Sequence, residues 1–509
     1  MTVASGFLSH ATTSPDRTAL VLGRRPQQHW SYRELLRGAT SVATALCAEF
    51  GRAPEPGVRI ALLLESGREF LEVFYGAALA GIPVMVLDPA WSSAELSSIL
   101  RDAPPARLFR TAGPEPTGWQ LPPATVTEVP GPGYPDRLHG RPPLPPAGFP
   151  GVPESAPFYV AFTSGSSGRP KGAVRSHRSW LRTFERTTSE FGIDATDRIL
   201  LPGSLTRSHF LYGAVHGLHV GATVHLPPEP DPATVFEQLD RYAVTRLYLV
   251  PTMFESLLGY ARQHPDRSFP QVRTLLSAGA KWPPIRRAQA GALFPNADAV
   301  EFYGATELSL VSVLHGNGDG PPESVGRPVD GVELSLRTPA GTEVGVNEIG
   351  RVHVRSDMLF TGYLSARDGG APDRDGWFTV GDIGRLDEQG CLHLVGREAG
   401  LLTSGGRYVY PEEVEAALLR LAEIAEVAVV GLPDEQWGEL VCAVVRWRGR
   451  ASLSLDQVRE GAAAHLSPQK CPQRVFAADE LPYTAGGKID RRKVRSILLD
   501  GRRGVCEVP

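Results

Sequence analysis

A run of small residues about one third of the way along the chain has the composition of an anion-binding loop. Residues 162–172 read FTSGSSGRPKG. Successive backbone N–H groups in such a run can point into one concavity that suits phosphate oxygens. Hydroxyl groups add donors, and a lysine adds a charge-assisted hydrogen bond. The sequence therefore predicts phosphate binding by Thr163, Ser164, Gly165, Ser166, Ser167, Gly168 and Lys171.

This loop differs from the Walker A loop of P-loop nucleotidases. Counted from Gly165, the position of the second Walker glycine holds Pro170, and Lys171 is followed by Gly172 rather than by Ser or Thr. A P-loop kinase or ATPase is therefore excluded.

Two later segments offer groups that suit the rest of a nucleotide. In residues 301–307, EFYGATE, the ring of Tyr303 is a flat surface for a base, and Glu307 is a hard oxygen ligand for Mg²⁺. Residues 377–382, WFTVGD, end in Asp382. A carboxylate suits a vicinal diol because it only accepts hydrogen bonds and has two oxygens.

These segments, in this order, resemble the adenylate-forming enzymes, a superfamily that includes acyl-CoA synthetases, peptide-synthetase adenylation domains and luciferases. The resemblance covers most of the chain, and its segments are 162–172, 277–280, 301–307, 377–382, 396–415 and 481–491. It implies a ligase that uses ATP and Mg²⁺ in two steps. A carboxylic acid first becomes an acyl-adenylate with release of pyrophosphate, and a thiol then displaces AMP.

The resemblance also implies a role for each matching residue. Lys488 corresponds to the lysine that catalyses adenylation, where a compact cation stabilises charge at the α-phosphate. Only five of the 52 basic residues are lysine, so its presence there is notable. Thr306 corresponds to an α-phosphate contact and Glu307 to the metal ligand. The nucleotide would also contact Gly279, Ala280, Tyr303, Asp382 and Arg397, and Gly405 and Gly406 would line a tunnel for the thiol of coenzyme A or of a carrier-protein phosphopantetheine.

The expected acyl pocket contains no acid in the segment that relatives use to bind an amino group. Residues 205–213, LTRSHFLYG, have no Asp or Glu, and an unpaired buried ammonium is costly. The segment therefore favours an apolar or aromatic carboxylic acid, although Glu255 could supply an acid from another loop. The expected pocket residues are His209, Phe210, Tyr212, Gly213, Ser277, Phe302 and Gly304.

The acceptor of the acyl group is open at this stage. No G-G-x-S phosphopantetheine site follows Lys488, so the thiol would belong to free coenzyme A or to a separate acyl carrier protein. Ala399 stands where relatives carry Asp or Lys at the hinge, which keeps a non-thiol acceptor, as in an amide-forming synthetase, as an alternative. A stand-alone amino-acid-activating enzyme is a further alternative.

The elements that position these residues follow from the hydrophobic pattern. Residues 58–89 read as strand, helix and strand, which predicts a βαβ unit and a parallel sheet. Beyond residue 323, glycine-punctuated alternation predicts antiparallel hairpins. The window 102–157 holds 16 of the 45 prolines, which predicts little regular structure. Further strands are expected near 198–201, 222–226, 246–251 and 273–278.

We therefore expect an α/β protein with a large N-terminal domain, which has parallel-containing sheets and a β-rich subdomain, and a small mobile α+β C-terminal domain. The expected boundaries are 1–395 for the AMP-binding and acyl-pocket domain, 396–400 for the hinge and 401–509 for the lid that carries Lys488.

The resemblance implies a small-molecule carboxylic acid as the partner, with or without a separate acyl carrier protein, and composition argues against other classes of partner. A net charge of −4 and a pI near 6.4 argue against nucleic-acid binding. The longest apolar run, 74–87, is too short to span a bilayer, so no integral membrane contact is expected. Five scattered cysteines without a CxxC pair predict a reducing, cytoplasmic location.

Overall fold

The computed structural model describes residues 1–23, 28–112, 125–129, 144–145, 148–164, 170–279, 284–316, 318, 320–404, 407–435, 437–484, 488–501 and 504–509. Within these residues, no helix combines the length and apolar character that crossing a membrane requires. The chain divides into two compact units, Met1–Leu334 with Val354–Phe378 and Ser335–His353 with Thr379–Pro509. The expected hinge, 396–400, lies within the second unit, and the expected boundary at 395 stays a prediction.

A nine-stranded sheet has a parallel centre and antiparallel edges. Its parallel part contains the four strands that the sequence predicted near 198–201, 222–226, 246–251 and 273–278, which confirms that prediction. In spatial order its strands are β15 (Arg327–Pro328), β14 (Ser309–Leu314), β13 (Asp298–Ala305), β12 (Thr274–Ser277), β11 (Arg246–Leu249), β9 (Arg198–Leu200), β10 (Thr223–Leu226), β1 (Thr18–Leu22) and β2 (Gln28–Ser31).

A seven-stranded sheet contains the predicted βαβ unit. Its order is β18 (Gly362–Tyr363), β8 (Pro170–Ser176), β7 (Pro157–Ser164), β4 (Val84–Val86), β3 (Ile60–Leu63), β5 (Arg107–Thr111) and β6 (Val126–Val129). Strands β5 and β6 fall in the window where little regular structure was expected, so that expectation was wrong. Strand β5 contains the short apolar pair Leu108–Phe109, both buried, and β6 is the edge strand of the sheet, where flanking prolines are tolerated.

Helices cover the sheets of the first unit, and local sequence explains where two of them begin. Ser31 with Glu34 and Ser92 with Glu95 form capping boxes, in which each side chain satisfies a free backbone N–H group. The helices are α1 (Ser5–Thr13), α2 (Tyr32–Phe50), α3 (Arg68–Ala80), α4 (Ser93–Asp102), α5 (His177–Phe191), α6 (Ser208–Val220), α7 (Pro232–Arg241), α8 (Pro251–Ala261) and α9 (Pro284–Leu293).

The β-rich segment forms a five-stranded sheet, as predicted from its alternation. Its order is β16 (Glu333–Arg337), β17 (Gly350–Arg355), β20 (Asp382–Leu386) and β21 (Leu392–Arg397), with β19 (Trp377–Phe378) paired to β17.

The rest of the second unit is the predicted α+β region. Its sheet runs β23 (Arg407–Val409), β22 (Leu402–Ser404), β25 (Gly438–Trp447), β26 (Arg474–Ala478) and β27 (Val505–Glu507), with β24 (Ile424–Asp434) paired to β25. Its α-helices are α10 (Pro411–Leu418), α11 (Leu455–Ala463) and α12 (Arg491–Leu499). The predicted α/β fold class is confirmed.

Candidate active site

Predicted nucleotide-binding and substrate-pocket residues of the first unit lie where strands end. Thr163 lies at the end of β7, Ser277 ends β12, and Thr306 and Glu307 follow β13. In open α/β sheets, ligands bind at the carboxyl ends of the strands. The order of the strands therefore places these residues where a ligand site is expected.

Glu307 is the best-defined member of this group. Its carboxylate is buried, and Oε1 accepts hydrogen bonds from the hydroxyls of Thr163, at 3.3 Å, and Tyr363, at 2.9 Å. Mg²⁺ in nucleotide sites is commonly held by one or two carboxylates together with phosphate oxygens. A single oriented carboxylate beside Thr163 therefore fits this metal. Tyr363 was missed by sequence reasoning, because its position on β18 follows only from sheet pairing.

Lys171 lies opposite Thr163 in the β7–β8 hairpin. Its Nζ donates to the carbonyl of Asp368 at 2.5 Å and lies 5.4 Å from the centre of the Tyr363 ring. The ammonium is thus held beside the ring of Tyr363, the residue whose hydroxyl donates to Glu307. Ser164 belongs to β7, and Gly165, Ser166, Ser167 and Gly168 lie outside the described residues.

The turn that carries Thr306 is held by a buried arginine. The guanidinium of Arg175 donates to the carbonyls of Thr306 and Met358, each at 2.6 Å, and to Ser309 Oγ. Burial lowers the pKa of Arg175 to about 10, while Glu307 opposes the shift, so the group remains cationic at neutral pH. The hydroxyl of Thr306 lies 3.1 Å from that of Ser208. Neither Arg175 nor Ser208 was identified from the sequence.

Two aromatic groups predicted for the acyl pocket lie together. The His209 ring centre is 5.5 Å from that of Phe302 and 5.2 Å from that of Tyr248. Burial lowers the pKa of His209 to about 4, so the imidazole is neutral at pH 7. Its Nε2 lies 3.1 Å from the Leu249 carbonyl, and because a carbonyl only accepts, the imidazole donates from this nitrogen.

Two further predicted pocket residues are tied into helix packing. Phe210 is buried and occupies the space that a side chain at Gly203 would need. The Tyr212 hydroxyl lies 2.6 Å from the Thr187 hydroxyl of α5, and its ring packs on Trp180 at 5.4 Å. Their roles in substrate binding stay predictions.

The remaining predicted residues of this region occupy two faces of the nine-stranded sheet. Phe302 packs on the core cluster that contains Leu276, whereas Leu275 belongs to the other cluster. Because side chains alternate along a strand, Ser277 and Tyr303 lie on the face opposite Phe302.

Glycines mark close contacts in the same region. A side chain at Gly213 would meet Tyr248, and one at Gly304 would overlap the Ser309 carbonyl. Gly279 has φ +96°, a left-handed conformation that favours glycine. Ala280 lies outside the described residues.

An ion pair that sequence reasoning missed lies at the start of α6. Arg207 Nη2 is 2.7 Å from Asp88 Oδ2. Asp88 follows β4 and also accepts the Ala90 N–H at 3.0 Å. The carboxylate that reaches this helix from another strand is therefore already paired with a cation. Glu255, the acid that the sequence left open, is half-buried on α8.

In the second unit, three predicted residues form one group. Asp382 and Arg397 are paired across β20 and β21, and Arg397 Nε donates to Asp382 Oδ1 at 2.5 Å. Asp382 is buried, while Arg397 is half exposed. Lys488 retains exposed surface, yet desolvation and then the charge of Arg397 lower its pKa, while Asp382 opposes the shift. Gly405 and Gly406 lie outside the described residues.

Comparison with known proteins gives family matches over most of the chain. Residues 7–364 match the AMP-binding enzyme family, and residues 413–488 match the AMP-binding enzyme C-terminal domain. The solved structure of ATP-bound MatB from Rhodopseudomonas palustris is similar, with a TM-score of 0.84 and 25% identity, covering 98% of this chain and 99% of that one.

Curated relatives agree with these matches. The uncharacterized acyl-CoA ligase YhfT of Bacillus subtilis is 35% identical over 508 residues, which cover 98% of each chain. The 3-hydroxybenzoate–CoA ligase of an Aromatoleum species is 30% identical and covers 96% of this chain and 94% of its own. The feruloyl-CoA synthase of an Amycolatopsis species is 30% identical over 95% of this chain and 96% of its own. The chain belongs to the adenylate-forming AMP-binding enzymes and is an acid–thiol ligase of their acyl-CoA synthetase family.

Proposed function

We propose that the enzyme activates an apolar or aromatic carboxylic acid, without an α-amino group, as its acyl-adenylate and transfers the acyl group to coenzyme A. The observation that carries this proposal is the neutral, aromatic environment of His209 beside the paired Arg207 and Asp88. The aromatic environment of His209 suits an apolar acyl group. The Asp88 carboxylate is already paired with Arg207, so this pair supplies no free carboxylate for an ammonium group.

The contacts described above support the nucleotide roles that the family resemblance implies. Thr163, Lys171 and Thr306 would bind phosphate oxygens, and Tyr303 would offer its ring to adenine. Glu307 would hold Mg²⁺, which supplies charge neutralisation at the phosphates when bound. Asp382 and Arg397 would bind the ribose, because the Asp382 carboxylate accepts from hydroxyls and the half-exposed guanidinium donates.

Lys488 would supply the positive charge for the first step. As the carboxylate attacks the α-phosphorus, negative charge develops on the phosphate oxygens, and a fixed cation stabilises that charge. The expected lid, residues 401–509, would then rotate about 396–400, which removes Lys488 and admits the thiol.

The direct test is acid-dependent exchange of pyrophosphate into ATP with a panel of aryl and aliphatic acids. Product analysis with coenzyme A then identifies the acceptor. We expect exchange with at least one acid and formation of its coenzyme A thioester. Absence of exchange from a protein that still binds ATP would contradict the proposal.

A matched pair of acids tests the pocket assignment. We expect the acid without an α-amino group to exceed its α-amino analogue in kcat/KM by roughly tenfold to a hundredfold, because an unpaired ammonium costs on the order of 1–3 kcal/mol. Pyrophosphate release measures both. An equal or better α-amino acid would show that a carboxylate such as Glu255 reaches the substrate.

The alternatives to the proposed function differ in the molecule that accepts the acyl group. The amide bond synthetase McbA from Marinactinospora thermotolerans is 24% identical with a TM-score of 0.81, so it shares the fold. Ala399 at the expected hinge is the feature of this chain that favours testing amines beside coenzyme A and a phosphopantetheinylated carrier protein. A faster product with an amine would replace the thioester assignment.

A further inference from the structure

The turn that carries Lys488 is closed by backbone hydrogen bonds. The Asp490 N–H donates to the Pro482 carbonyl at 2.8 Å, and the Thr484 N–H donates to the Lys488 carbonyl at 2.7 Å. Tyr483 and Ile489 form an isolated antiparallel bridge in the same turn. These bonds shape the turn, but they do not attach it to the rest of the second unit.

Leu481 and Ile489 pack on the core cluster that contains Val444, and Tyr483 hydrogen-bonds Glu426. A further, ionic attachment comes from Arg491, the first residue of α12. Its Nε and Nη2 donate to the two carboxylate oxygens of Glu415 at 2.8 and 2.5 Å, and its Nη1 donates to Glu412 at 2.5 Å. Both glutamates lie on α10. Glu415 is itself held, because its Oε1 accepts the Val429 N–H of β24 at 2.8 Å. A bidentate guanidinium–carboxylate pair fixes orientation as well as distance.

The same helix also contacts the strand that carries Arg397. A side chain at Gly396 would lie 2.7 Å from Glu412 Oε2, so the Glu412 carboxylate packs close to the end of β21. The Arg491 cluster, defined as Arg491 with Glu412 and Glu415, therefore touches α10, α12 and the end of β21. Lys488 lies close enough to Asp382 and Arg397 for their charges to act on it.

We propose that Arg491 is a positioning residue for adenylation, which holds the Lys488 turn in place through Glu415 and Glu412. The proposal rests on the proposed function, in which Lys488 acts only in the first step. The two carboxylates also offset the Arg491 charge, which would otherwise repel Lys488 three residues away. A lysine cannot replace this arginine fully, because its ammonium lacks the planar guanidinium donors that bind both oxygens of a carboxylate.

The test measures both half-reactions in Arg491→Met. We expect adenylation, followed as pyrophosphate exchange, to fall by roughly tenfold to a hundredfold in kcat with little change in the KM for ATP, because a small displacement of a catalytic group has costs of this size. Thioester formation from supplied acyl-adenylate should stay within about twofold of wild type. Arg491→Lys should show a smaller loss, and it carries the test if Arg491→Met does not fold.

The matched control is Arg474→Met, which removes another bidentate pair of the second unit. Arg474 donates to Glu507 through two bonds of 2.7 Å. This variant should leave both half-reactions unchanged. The exchanged pair Arg491→Glu with Glu415→Arg should recover part of the adenylation lost in Arg491→Glu alone.

Equal losses in both half-reactions, or a loss matched by Arg474→Met, would show that Arg491 only stabilises the fold and would overturn the proposal. An undiminished adenylation rate in Arg491→Met would overturn it as well. Failure of the proposed function is distinguishable, since the wild-type enzyme would then show no acid-dependent exchange.

Discussion

Lys488 combines a cationic charge with an environment that disfavours that charge. Desolvation and the nearby Arg397 lower its pKa, and the Asp382 carboxylate opposes the shift. An ammonium that is incompletely compensated in the protein gains more when negative charge develops nearby. This is the property that the proposed role of Lys488 in adenylation requires.

Replacing Lys488 by alanine separates the two steps. We expect Lys488→Ala to lower adenylation by at least a hundredfold, because the developing phosphate charge loses its cation. Thioester formation from a supplied acyl-adenylate should be spared. Stopped-flow or quenched assays of each half-reaction measure the two effects.

Lys493→Ala, an exposed position on α12, is the control and should affect neither step. Equal losses in both half-reactions of Lys488→Ala would contradict the assignment of this lysine to the first step.

At the scale of elements, the turn between β13 and β14 depends on close backbone contact. Gly304 lies against the Ser309 carbonyl, and Ser309 itself has φ +62°, which is uncommon for a residue with a side chain. Arg175 anchors this turn through the Thr306 carbonyl. The turn thus sets the positions of Thr306 and Glu307.

Gly304→Ala tests this dependence. The added methyl group would overlap the Ser309 carbonyl, so the strands must separate or the turn must shift. We expect adenylation to fall more than tenfold and the protein to lose about 1–3 kcal/mol of stability. Pyrophosphate exchange and thermal unfolding measure these changes.

Gly259→Ala serves as the matched control. This glycine lies in α8 with no atom within 4 Å of the added methyl position, and alanine is favoured in helices. Its activity should stay at the wild-type level. A Gly304→Ala enzyme with full activity would show that the turn tolerates displacement.

At the scale of the whole molecule, one histidine links stability to pH. His315 Nδ1 lies 2.6 Å from Asp298, and its Nε2 lies 3.2 Å from Glu190 on α5. The hydrogen bond to Asp298 raises the pKa of His315 to about 9; burial opposes the shift, and Glu190 adds to it. The charged imidazole therefore bridges β13 and α5.

The sign of the effect follows from linkage. A folded-state pKa above the unfolded value of about 6.5 stabilises the fold fully below that value, and the stabilisation is lost as pH rises from 6.5 through 9. Since the side chain is partly exposed, we expect the charged imidazole to contribute about 1–2 kcal/mol to the free energy of unfolding. Wild type should unfold at a higher temperature than His315→Gln at pH 6, and the difference should shrink by pH 10.

The exposed His465→Gln variant controls for the substitution itself. A difference between wild type and His315→Gln that does not vary with pH would contradict the linkage.

The sequence by itself determined the fold class, the family and the chemical groups of the site. Phosphate binding, metal binding and diol binding each need particular residue types, and these stand in contiguous segments around Lys171, Glu307 and Asp382. Most strands at the centre of the parallel sheets were also predicted, because buried strands are short apolar runs bounded by turn residues, whereas β1, β5 and β6 were not. These features are local in the chain.

Only the tertiary structure decided which side chains meet. Tyr363 donates to Glu307 from 56 residues away, and Arg175 binds the Thr306 carbonyl from 131 residues away. Arg207, which lies between β9 and α6, pairs with Asp88, which lies between β4 and α4. Such contacts depend on which strands lie next to one another in the sheets, and local sequence preferences do not determine that order because they act over a few residues.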